Sequence, residues 1–545
     1  MSSPTAHTIA SASITSRRRI FPFAVRPGNS THLTKALSIV DGSVLRYSPA
    51  RATWFFDAPA LPLSIPDTDS LATSLSKVLV SYPQWSGSLH MPHPNADTNS
   101  TSHDQRFNRP QLTWGTDDDP GVEFIDAQSL HRLSLLPTPE ERARSHRIWD
   151  ASIVAALGTM SDTPKLALHD RVSSEGLPCM VVQITKFACG GIIRIAIAVK
   201  FAHPLADAQT LLTFVHDWAA VHRGLSVPIR EFAPELLDRT AAGDIDASLP
   251  DRDILSRSGS IPLHRFDWWA SGTPDCPPFM LPETEIPSQF ADVKTLELGR
   301  PLPWKTWDIL APVRYYVVHF TRQEIINMWQ AATSAANTPN DLRLSKLDAL
   351  LAHIWTLIIR ARELSLDNSQ VHLDVTLGLR PRVSPTLSPY FIGSPLLNIP
   401  ISQPASQISM ASALLIRSSM AIYNPEAIGA LLHEMAYMID PSRRWNTFLG
   451  ERHTIVTSWL ESRPGMTVYD VDFGFGAKPR MVDSLLFECD GCVQIMESGS
   501  KILSNTYSDS KRTPWYDTGV SVGLHFKEDV MERMLADPWF RKYDK

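Results

Sequence analysis

The spacing of hydrophobic residues changes in the middle of the N-terminal half of the chain. Residues 194–201 are rich in β-branched and apolar side chains, follow two glycines at positions 190 and 191, and predict a strand. From residue 208 to residue 221 the apolar positions recur at helical spacing and predict a helix. These apolar helical positions are Leu211, Leu212, Val215, Trp218 and Ala219. The predicted strand and helix are joined by a pentapeptide at residues 203–207, whose sequence is HPLAD.

His203 opens this pentapeptide, where a strand on one side and a helix on the other restrict its freedom. Pro204 ends the strand ladder because proline has no N–H to donate. A histidine with an ordinary pKa of about 6.5 can accept a proton at neutral pH. The chain has 18 histidines, so a His and an Asp four residues apart also arise by chance. A structural histidine at a strand end is therefore the alternative, and the pentapeptide needs a second landmark.

The second landmark is the segment 472–476, with the sequence DFGFG. Its two glycines permit a sharp turn or a close approach to another chain segment. Asp472 stands beside apolar residues and needs a cationic or N–H partner. A protein-kinase interpretation fails, because no HRD loop precedes the segment and no glycine-rich loop is followed by a strand lysine.

The two segments in this order resemble the HxxxD and DFGWG motifs of the BAHD acyltransferases, which transfer acyl groups from coenzyme A. Further segments resemble that family in the same order and extend the match over most of the chain. They are residues 37–41, 75–83, 183–191, 319–321, 345–355, 380–382 and 389–393. The resemblance implies an α/β (α+β) fold of two similar chloramphenicol acetyltransferase-like domains. Each would be a mixed β-sheet with flanking helices, and a long crossover linker would join them.

The length of 545 residues also favours two domains. We expect an N-terminal acyltransferase domain at 1–225 that carries His203. A linker or crossover, rich in Pro, Asp and Ser, is expected at 226–310. The C-terminal acyltransferase domain is expected at 311–545 and carries the DFGFG segment.

Composition and charge exclude several classes of protein. Hydrophobic residues make up 43% of the chain and charged residues 20%, as in globular proteins, and the net charge of −6 argues against a general nucleic-acid binder. No apolar run reaches the roughly 18 residues of a membrane span, and the N-terminus does not resemble a secretory signal. We therefore expect a cytoplasmic protein with no membrane span. We also expect a monomer.

Five cysteines do not indicate a disulfide framework. Cys489 and Cys492 have CxxC spacing, but the sequence offers no second pair to complete a four-ligand zinc site. We interpret the pair as flanking a turn between two strands and expect no metal.

The chemistry implied by the resemblance begins from a thioester, whose acyl group is already activated. Transfer to an alcohol needs neither ATP nor a metal, but the hydroxyl must lose its proton. His203 can take that proton as the oxygen attacks and return it to the departing sulfur, a contribution of roughly 10²–10⁴-fold. No G-x-S-x-G elbow is present, so direct transfer in a ternary complex is expected. Acyl-CoA is then a co-substrate, and the acceptor is a hydroxylated small molecule, a specialised metabolite.

Asp207 precedes the predicted helix and can cap its first N–H groups. The resemblance implies that this aspartate pairs with Arg380 and positions the loop that carries His203. It also implies structural roles for Asp472, Gly474 and Gly476. Phe475 stands where the family has tryptophan, whose indole N–H is a candidate donor to the oxyanion. Phenylalanine lacks that donor, so either another group supplies it or the aromatic ring is there for packing.

Four residues are candidates for contact with coenzyme A. Ser345, Thr457 and Ser458 correspond to positions near the pantetheine and nucleotide, and Lys478 could reach a phosphate. Each has a structural alternative. Ser345 can cap a helix with Asp348 completing a capping box, Thr457 and Ser458 can be ordinary strand residues, and Lys478 can be solvated.

Two other functions remain open. A condensation-type enzyme would take its acyl group from a carrier-protein thioester, but its HHxxxDG motif requires a second histidine where this chain has Ala202, and a glycine where it has Ala208. A catalytically degenerate, ligand-binding member of the family is permitted by Phe475, although His203 is intact.

Overall fold

A computed structural model describes most of the chain. It covers residues 12–23, 32–57, 67–92, 102–106, 109–131, 133, 136–160, 163–170, 172–189, 192–270, 275–290, 296–336, 342–460, 466–484, 486, 488–499 and 514–544.

The strands form two large sheets and two small ones. In chain order they are β1 (Ser13–Ile20), β2 (Leu33–Ala36), β3 (Ala50–Phe56), β4 (Ser88–His90), β5 (Gln111–Trp114), β6 (Val122–Ser129), β7 (Ile148–Asp150), β8 (Met180–Cys189), β9 (Ile192–Phe201), β10 (Phe266–Asp267), β11 (Val313–Phe320), β12 (Gln370–Gly378), β13 (Leu396–Pro404), β14 (Arg444–Trp445), β15 (His453–Ser458), β16 (Pro479–Asp483), β17 (Cys492–Glu497) and β18 (Val520–Lys527).

The helices cover these sheets. In chain order they are α1 (Ile39–Ser43), α2 (Thr68–Val78), α3 (His103–Arg106), α4 (Pro139–Arg144), α5 (Ser152–Ala156), α6 (Ala208–His222), α7 (Glu235–Asp238), α8 (Arg252–Ser260), α9 (Arg322–Ala335), α10 (Lys346–Ala361), α11 (Ser412–Ile422), α12 (Pro425–Ala436) and α13 (Glu528–Ala536). Among the described helices, none combines the length and the apolar character that crossing a membrane requires.

Both large sheets are mixed. The first has the order β1-β6-β8-β9-β3-β16, with β6 and β8 parallel and the other neighbours antiparallel. The second has the order β13-β12-β15-β17-β18-β11-β7, with β15 parallel to both β12 and β17. Two mixed sheets with flanking helices confirm the predicted fold class.

The first large sheet and α6 pack through the pattern that the sequence shows. On β9 the large side chains Ile195, Ile197 and Val199 alternate with alanines, and they join the same buried cluster as Phe214 and Trp218 of α6. This alternation presents a bulky face to the helix, as expected for a strand with a side-chain period of two. The predicted strand and helix on either side of His203 are therefore confirmed.

The two sheets exchange strands, so a single cut in the chain does not separate them. β7, from the N-terminal half, pairs with β11 in the second sheet, whereas β16, from the C-terminal half, pairs with β3 in the first. The segment around residues 468–482 accordingly joins the buried cluster of the first sheet. The predicted ranges 1–225 and 311–545 describe the two halves of the chain but not every strand of each sheet.

The predicted linker carries short elements and a small core of its own. It contains α7, α8 and β10, and β10 pairs with β14 of the C-terminal half. The buried residues of this core are Trp268, Trp269, Phe290, Leu302, Trp304 and Phe448. The tryptophan pair of the linker thus packs in an interior, and aromatic burial of this kind fixes the linker against the second domain.

Candidate active site

His203 lies in a short 3₁₀ turn, His203–Leu205, between β9 and α6. Its Nδ1 is 3.0 Å from the hydroxyl oxygen of Ser394, which lies two residues before β13 of the second sheet. The ring of Tyr47 meets the imidazole edge to face at a centroid distance of 5.3 Å. Residues distant in sequence therefore orient the imidazole from both halves of the chain.

The contact with Ser394 allows either tautomer of the imidazole, because a serine hydroxyl can donate or accept a hydrogen bond. If the Nδ1 proton is donated to Ser394 Oγ, the lone pair of Nε2 is left to accept a proton from another molecule. Within the described part of the chain, no hydrogen bond involves Nε2. In this tautomer Nε2 is the ring nitrogen that can accept a proton.

The surroundings of His203 keep the ring neutral. Burial lowers its pKa to about 4, and the charge of Asp207 opposes this effect only in part. At neutral pH the imidazole is consequently in its unprotonated form, which is the form that accepts a proton.

The hydrogen bonds of Asp207 indicate a structural role and not a proton relay. Its carboxylate accepts the backbone N–H of Thr210 at 2.9 Å and so caps α6. Arg380 contacts both carboxylate oxygens, at 2.5 and 3.0 Å, and both residues are buried. A bidentate pair of this kind holds the loop of His203 rigidly.

Arg380 extends this contact into the segment before β13. It donates to the carbonyl of Phe391 at 2.9 Å and to the hydroxyl of Thr210 at 2.8 Å. The carbonyl of Gly393 in turn accepts the backbone N–H of Asp207 at 3.1 Å. The loop of His203 and the segment 391–394 are therefore locked together by side-chain and backbone bonds.

Asp41 holds the backbone of Ser394 in place. The backbone N–H of Ser394 donates to Asp41 Oδ1 at 2.6 Å, and burial raises the pKa of this carboxyl to about 7. Gly393 has φ +146°, and a Cβ there would lie 3.0 Å from both oxygens of Asp41. Glycine is thus required where the chain crosses the carboxyl group.

Sequence reasoning did not single out Ser394 or Tyr47, and it named Asp41 only within a segment that resembles the family. Ser394 is separated from His203 by 191 positions. No local periodicity links residues so far apart. The available signal was the neighbouring segment 389–393, which resembles the crossover of the family.

The DFGFG segment packs at the far end of α6. Phe475 contacts Phe56 at a ring-centroid distance of 5.3 Å and His222, the last residue of α6, at 5.9 Å. Asp472 pairs with Arg223, just beyond the helix, at 3.2 Å. Because α6 has 15 residues, its two ends are about 22 Å apart. Phe475 is therefore a packing residue remote from His203, and its lack of an N–H removes no donor from the site.

Two glycines shape this segment. Gly474 and Gly476 have φ of +79° and +73°, a backbone conformation that favours glycine. The N–H of Gly474 also donates to Asp472 Oδ1 at 2.8 Å, so that the turn is closed locally.

The structure places the four predicted coenzyme A contacts on three separate elements. Ser345 caps α10, where its hydroxyl accepts the N–H of Asp348 and the carboxylate of Asp348 accepts the N–H of Ser345. Thr457 and Ser458 end β15, and Lys478, partly buried, precedes β16. Contact with the coenzyme stays a prediction for all four residues.

Comparison with known proteins adds to this picture. The family model described as "Transferase family" matches residues 10–242 and 315–499. The acyltransferase AFT15-1 of Alternaria alternata is 24% identical over 90% of this chain and 90% of its own length. The acyltransferase abl6 of Leptosphaeria maculans is 23% identical over 93% and 94%.

Solved structures share the fold. Vinorine synthase superposes with a TM-score of 0.56 at 17% identity, covering 96% of both chains. TRI101 of F. sporotrichioides, complexed with coenzyme A and T-2, superposes with a TM-score of 0.58 at 17% identity, covering 93% of this chain and 98% of its own.

Proposed function

Since the chain belongs to the Transferase family of BAHD-type acyltransferases, we propose that it transfers an acetyl or other short acyl group from coenzyme A to a hydroxyl group of a specialised metabolite, with His203 as the general base. The chain is a coenzyme A-dependent acyltransferase of this type; the acyl group, the acceptor and the role of His203 are the substance of the proposal.

The observation that carries the proposal is the state of His203. Its Nδ1 is engaged by Ser394, its ring is held edge to face by Tyr47, and burial keeps it unprotonated. A general base must be oriented and must present a lone pair at the operating pH. His203 meets both conditions through Nε2.

The proposed reaction proceeds by direct transfer. The acceptor hydroxyl gives its proton to Nε2 of His203 as its oxygen attacks the thioester carbonyl. The tetrahedral intermediate then expels the coenzyme A sulfur, whose thiolate is a far better leaving group than an alkoxide. The imidazolium returns the proton to this sulfur. An ester and a free thiol result, and His203 is again neutral.

Asp207 and Arg380 act as positioning residues in this mechanism. Their buried bidentate pair fixes the loop between β9 and α6, so that the imidazole does not need to be reoriented during the reaction. The charge of Asp207 also favours the imidazolium as it forms.

The nature of the relatives supports a small hydroxylated acceptor. The curated fungal relatives are named acyltransferases, and TRI101 structures hold coenzyme A with T-2 or with deoxynivalenol. We extend this only to the class of acceptor. Ser345, Thr457, Ser458 and Lys478 are proposed as coenzyme contacts, and the protein as a cytoplasmic monomer.

Replacing His203 with alanine tests the mechanism. We expect turnover to fall at least about a hundredfold, because the general-base contribution is lost. The substrates are a panel of short acyl-CoAs and hydroxylated acceptors, with products read by mass spectrometry. His169→Ala is the matched control, because His169 is a partly exposed histidine beside Asp170 in a different loop.

Two outcomes would count against the proposal. Near-normal turnover by His203→Ala with an unchanged circular dichroism spectrum would remove His203 from the mechanism. Transfer from an acyl-carrier protein with none from acyl-CoA would replace the donor and favour a condensation-type reaction.

A further inference from the structure

A second cluster of titratable side chains lies apart from His203, where the linker meets the second sheet. Its centre is the carboxylate of Asp374, which is fully buried in β12. Nε2 of His264, from the linker, lies 3.1 Å from Oδ1 of this carboxylate. Nδ1 of His453, the first residue of β15, lies 3.3 Å from Oδ2. Three separate elements thus bring two imidazoles and one carboxylate together.

The sheet register produces this convergence. β12 and β15 are parallel neighbours in which His372 pairs with His453 and Asp374 pairs with Ile455. Because side chains two residues apart share a face of a strand, His372 and Asp374 point to the same side. The rings of His264, His372 and His453 are in mutual contact, with centroid distances of 4.9, 4.4 and 5.1 Å.

We propose that His264, Asp374 and His453 bind a divalent transition-metal ion of the zinc class, which fastens the linker to the second sheet. The three donor atoms lie within 4.8 Å of one another. Ligands at about 2.0–2.1 Å from a tetrahedral zinc ion are about 3.3 Å apart. Each imidazole lies at about this distance from Asp374, His264 from Oδ1 and His453 from Oδ2. Two imidazoles and one carboxylate are also a donor set that such ions take in proteins.

The surroundings of Asp374 have the form of an outer coordination shell. The hydroxyl of Thr447 and the backbone N–H of Phe448 donate to Oδ2 at 2.9 and 3.3 Å. Hydrogen bonds of this kind hold a metal-binding carboxylate in place. The rings of Phe266 and Phe448 pack against His264 and His453, at 5.0 and 5.7 Å, and exclude water from those sides.

Charge favours a metal over hydrogen bonds alone. A fully buried carboxylate needs a compensating positive charge. Neutral imidazoles can donate hydrogen bonds to it but leave its charge unbalanced. Protonating one imidazole would supply one compensating charge. A divalent ion supplies two, and it lets both rings bind as neutral ligands whose protons sit on the ring nitrogens that face away from it.

The cluster is accessible to an ion from the linker side. The His264 side chain retains 14% exposure, whereas those of Asp374 and His453 retain 0% and 5%. An entering ion therefore meets His264 first, and a water molecule can complete its coordination there. Bound at this point, the ion would tie residue 264 to the strands that lead to Arg380 and to Thr457.

The test measures the metal itself. Full-length protein is loaded with Zn²⁺, dialysed exhaustively and analysed by mass spectrometry for zinc, with Co²⁺ loading as an optical probe of coordination. We expect about one zinc per chain and visible absorption from Co²⁺ in a site of four or five ligands. His264→Ala and His453→Ala should each weaken binding at least about 100-fold, since loss of even an outer-shell partner costs 10–100-fold.

Variants outside the ligand set keep the test decisive. Thr447→Val should weaken zinc binding about 10-fold or more, and Thr447→Ser should restore it, because the serine hydroxyl can also donate to Asp374. His169→Ala should bind zinc as the unaltered protein does. Chelation should lower the melting temperature of the unaltered protein and leave that of His453→Ala unchanged. The proposal would be overturned if the unaltered protein failed to retain zinc, or if the His264 and His453 variants retained as much zinc as the unaltered protein. The cluster would then be held by hydrogen bonds alone.

Discussion

His203 is partly buried, in surroundings that disfavour its charged form. Because burial lowers its pKa to about 4, the unprotonated form persists well below neutral pH. The acid limb of kcat/KM should therefore have its midpoint near pH 4 and not near the ordinary value of about 6.5. A pH–rate profile over pH 3.5–8, with stability checked at each pH, measures this. An acid limb centred near pH 6.5 would mean that the surroundings of His203 do not lower its pKa.

The Asp207–Arg380 pair makes a separate prediction about stability. Arg380→Gln leaves a buried carboxylate without its cation and should cost about 3–5 kcal/mol in the free energy of unfolding. Adding Asp207→Asn should recover part of that loss, because the amide oxygen can still cap α6 while no charge is left unpaired. Urea titrations of both single variants and the double variant give the coupling energy, and strictly additive losses would argue against the pair.

At the residue scale, the site residues that the sequence suggests come from local pattern and family resemblance, and their catalytic roles stay predictions. His203 and Asp207 stand at a junction that the hydrophobic pattern marks, and Arg380 follows from the resemblance. Ser394 and Tyr47 could not be found in this way, because their contacts with His203 depend on how two distant segments cross.

At the scale of elements, the two ends of α6 contact the two sequence motifs separately. Its N-terminus holds the loop of His203, and its C-terminus supports the DFGFG segment through His222 and Arg223. The geometry supports a packing role for Phe475, since its ring lies in the buried hydrophobic cluster of the first sheet.

Phe475→Ala tests this separation. Removing the ring should destabilise the protein by about 3–5 kcal/mol, the usual cost of truncating a buried phenylalanine. Turnover per folded molecule should change little, since the ring packs on the last residue of α6, whose two ends are about 22 Å apart. Denaturation midpoints measure the change in stability, and turnover divided by the amount of folded protein measures the change in activity. A loss of turnover of a hundredfold or more without loss of stability would show that the segment takes part in the chemistry.

The small elements were harder to predict than the large ones. The linker was identified by its Pro, Asp and Ser content, but its own aromatic core was not, since Trp268 and Trp304 are brought together only by the folded chain. The capping box of Ser345 and Asp348 could be read from four consecutive residues because both of its bonds are local.

The whole molecule carries several buried neutral histidines, which link its stability to pH. Burial lowers the pKa of His319, His353 and His525 to about 3. The unfolded chain therefore takes up protons below pH 6.5 that the folded chain refuses until about pH 3. Their contribution to stability is complete above pH 6.5 and is lost as the pH falls through this window.

When the pH falls from 7 to 5.5, each of these histidines should lower the free energy of unfolding by about 1 kcal/mol. His353→Leu removes one titrating group from the core, so its stability should fall less steeply over the same interval. Urea unfolding at 0.5-unit pH steps measures both slopes. Parallel slopes for the two proteins would mean that His353 does not titrate as its burial requires.

The exchange of β7 and β16 between the two sheets also belongs to the whole molecule. Strand pairing of this kind ties the two halves of the chain together at two places. The composition of a chain cannot reveal that a short strand has joined the other sheet, so the predicted domain boundaries do not show this exchange.

The sequence by itself determined the family, the mixed α/β fold, and the strand, turn and helix around His203, because hydrophobic period, proline and capping residues act within a few positions along the chain. Only the tertiary structure decided which residue engages Nδ1 of His203, that Phe475 lies at the other end of α6, and that His264 and His453 meet at Asp374. The reason is physical: burial, pKa and contact depend on distances in space between residues that are up to hundreds of positions apart.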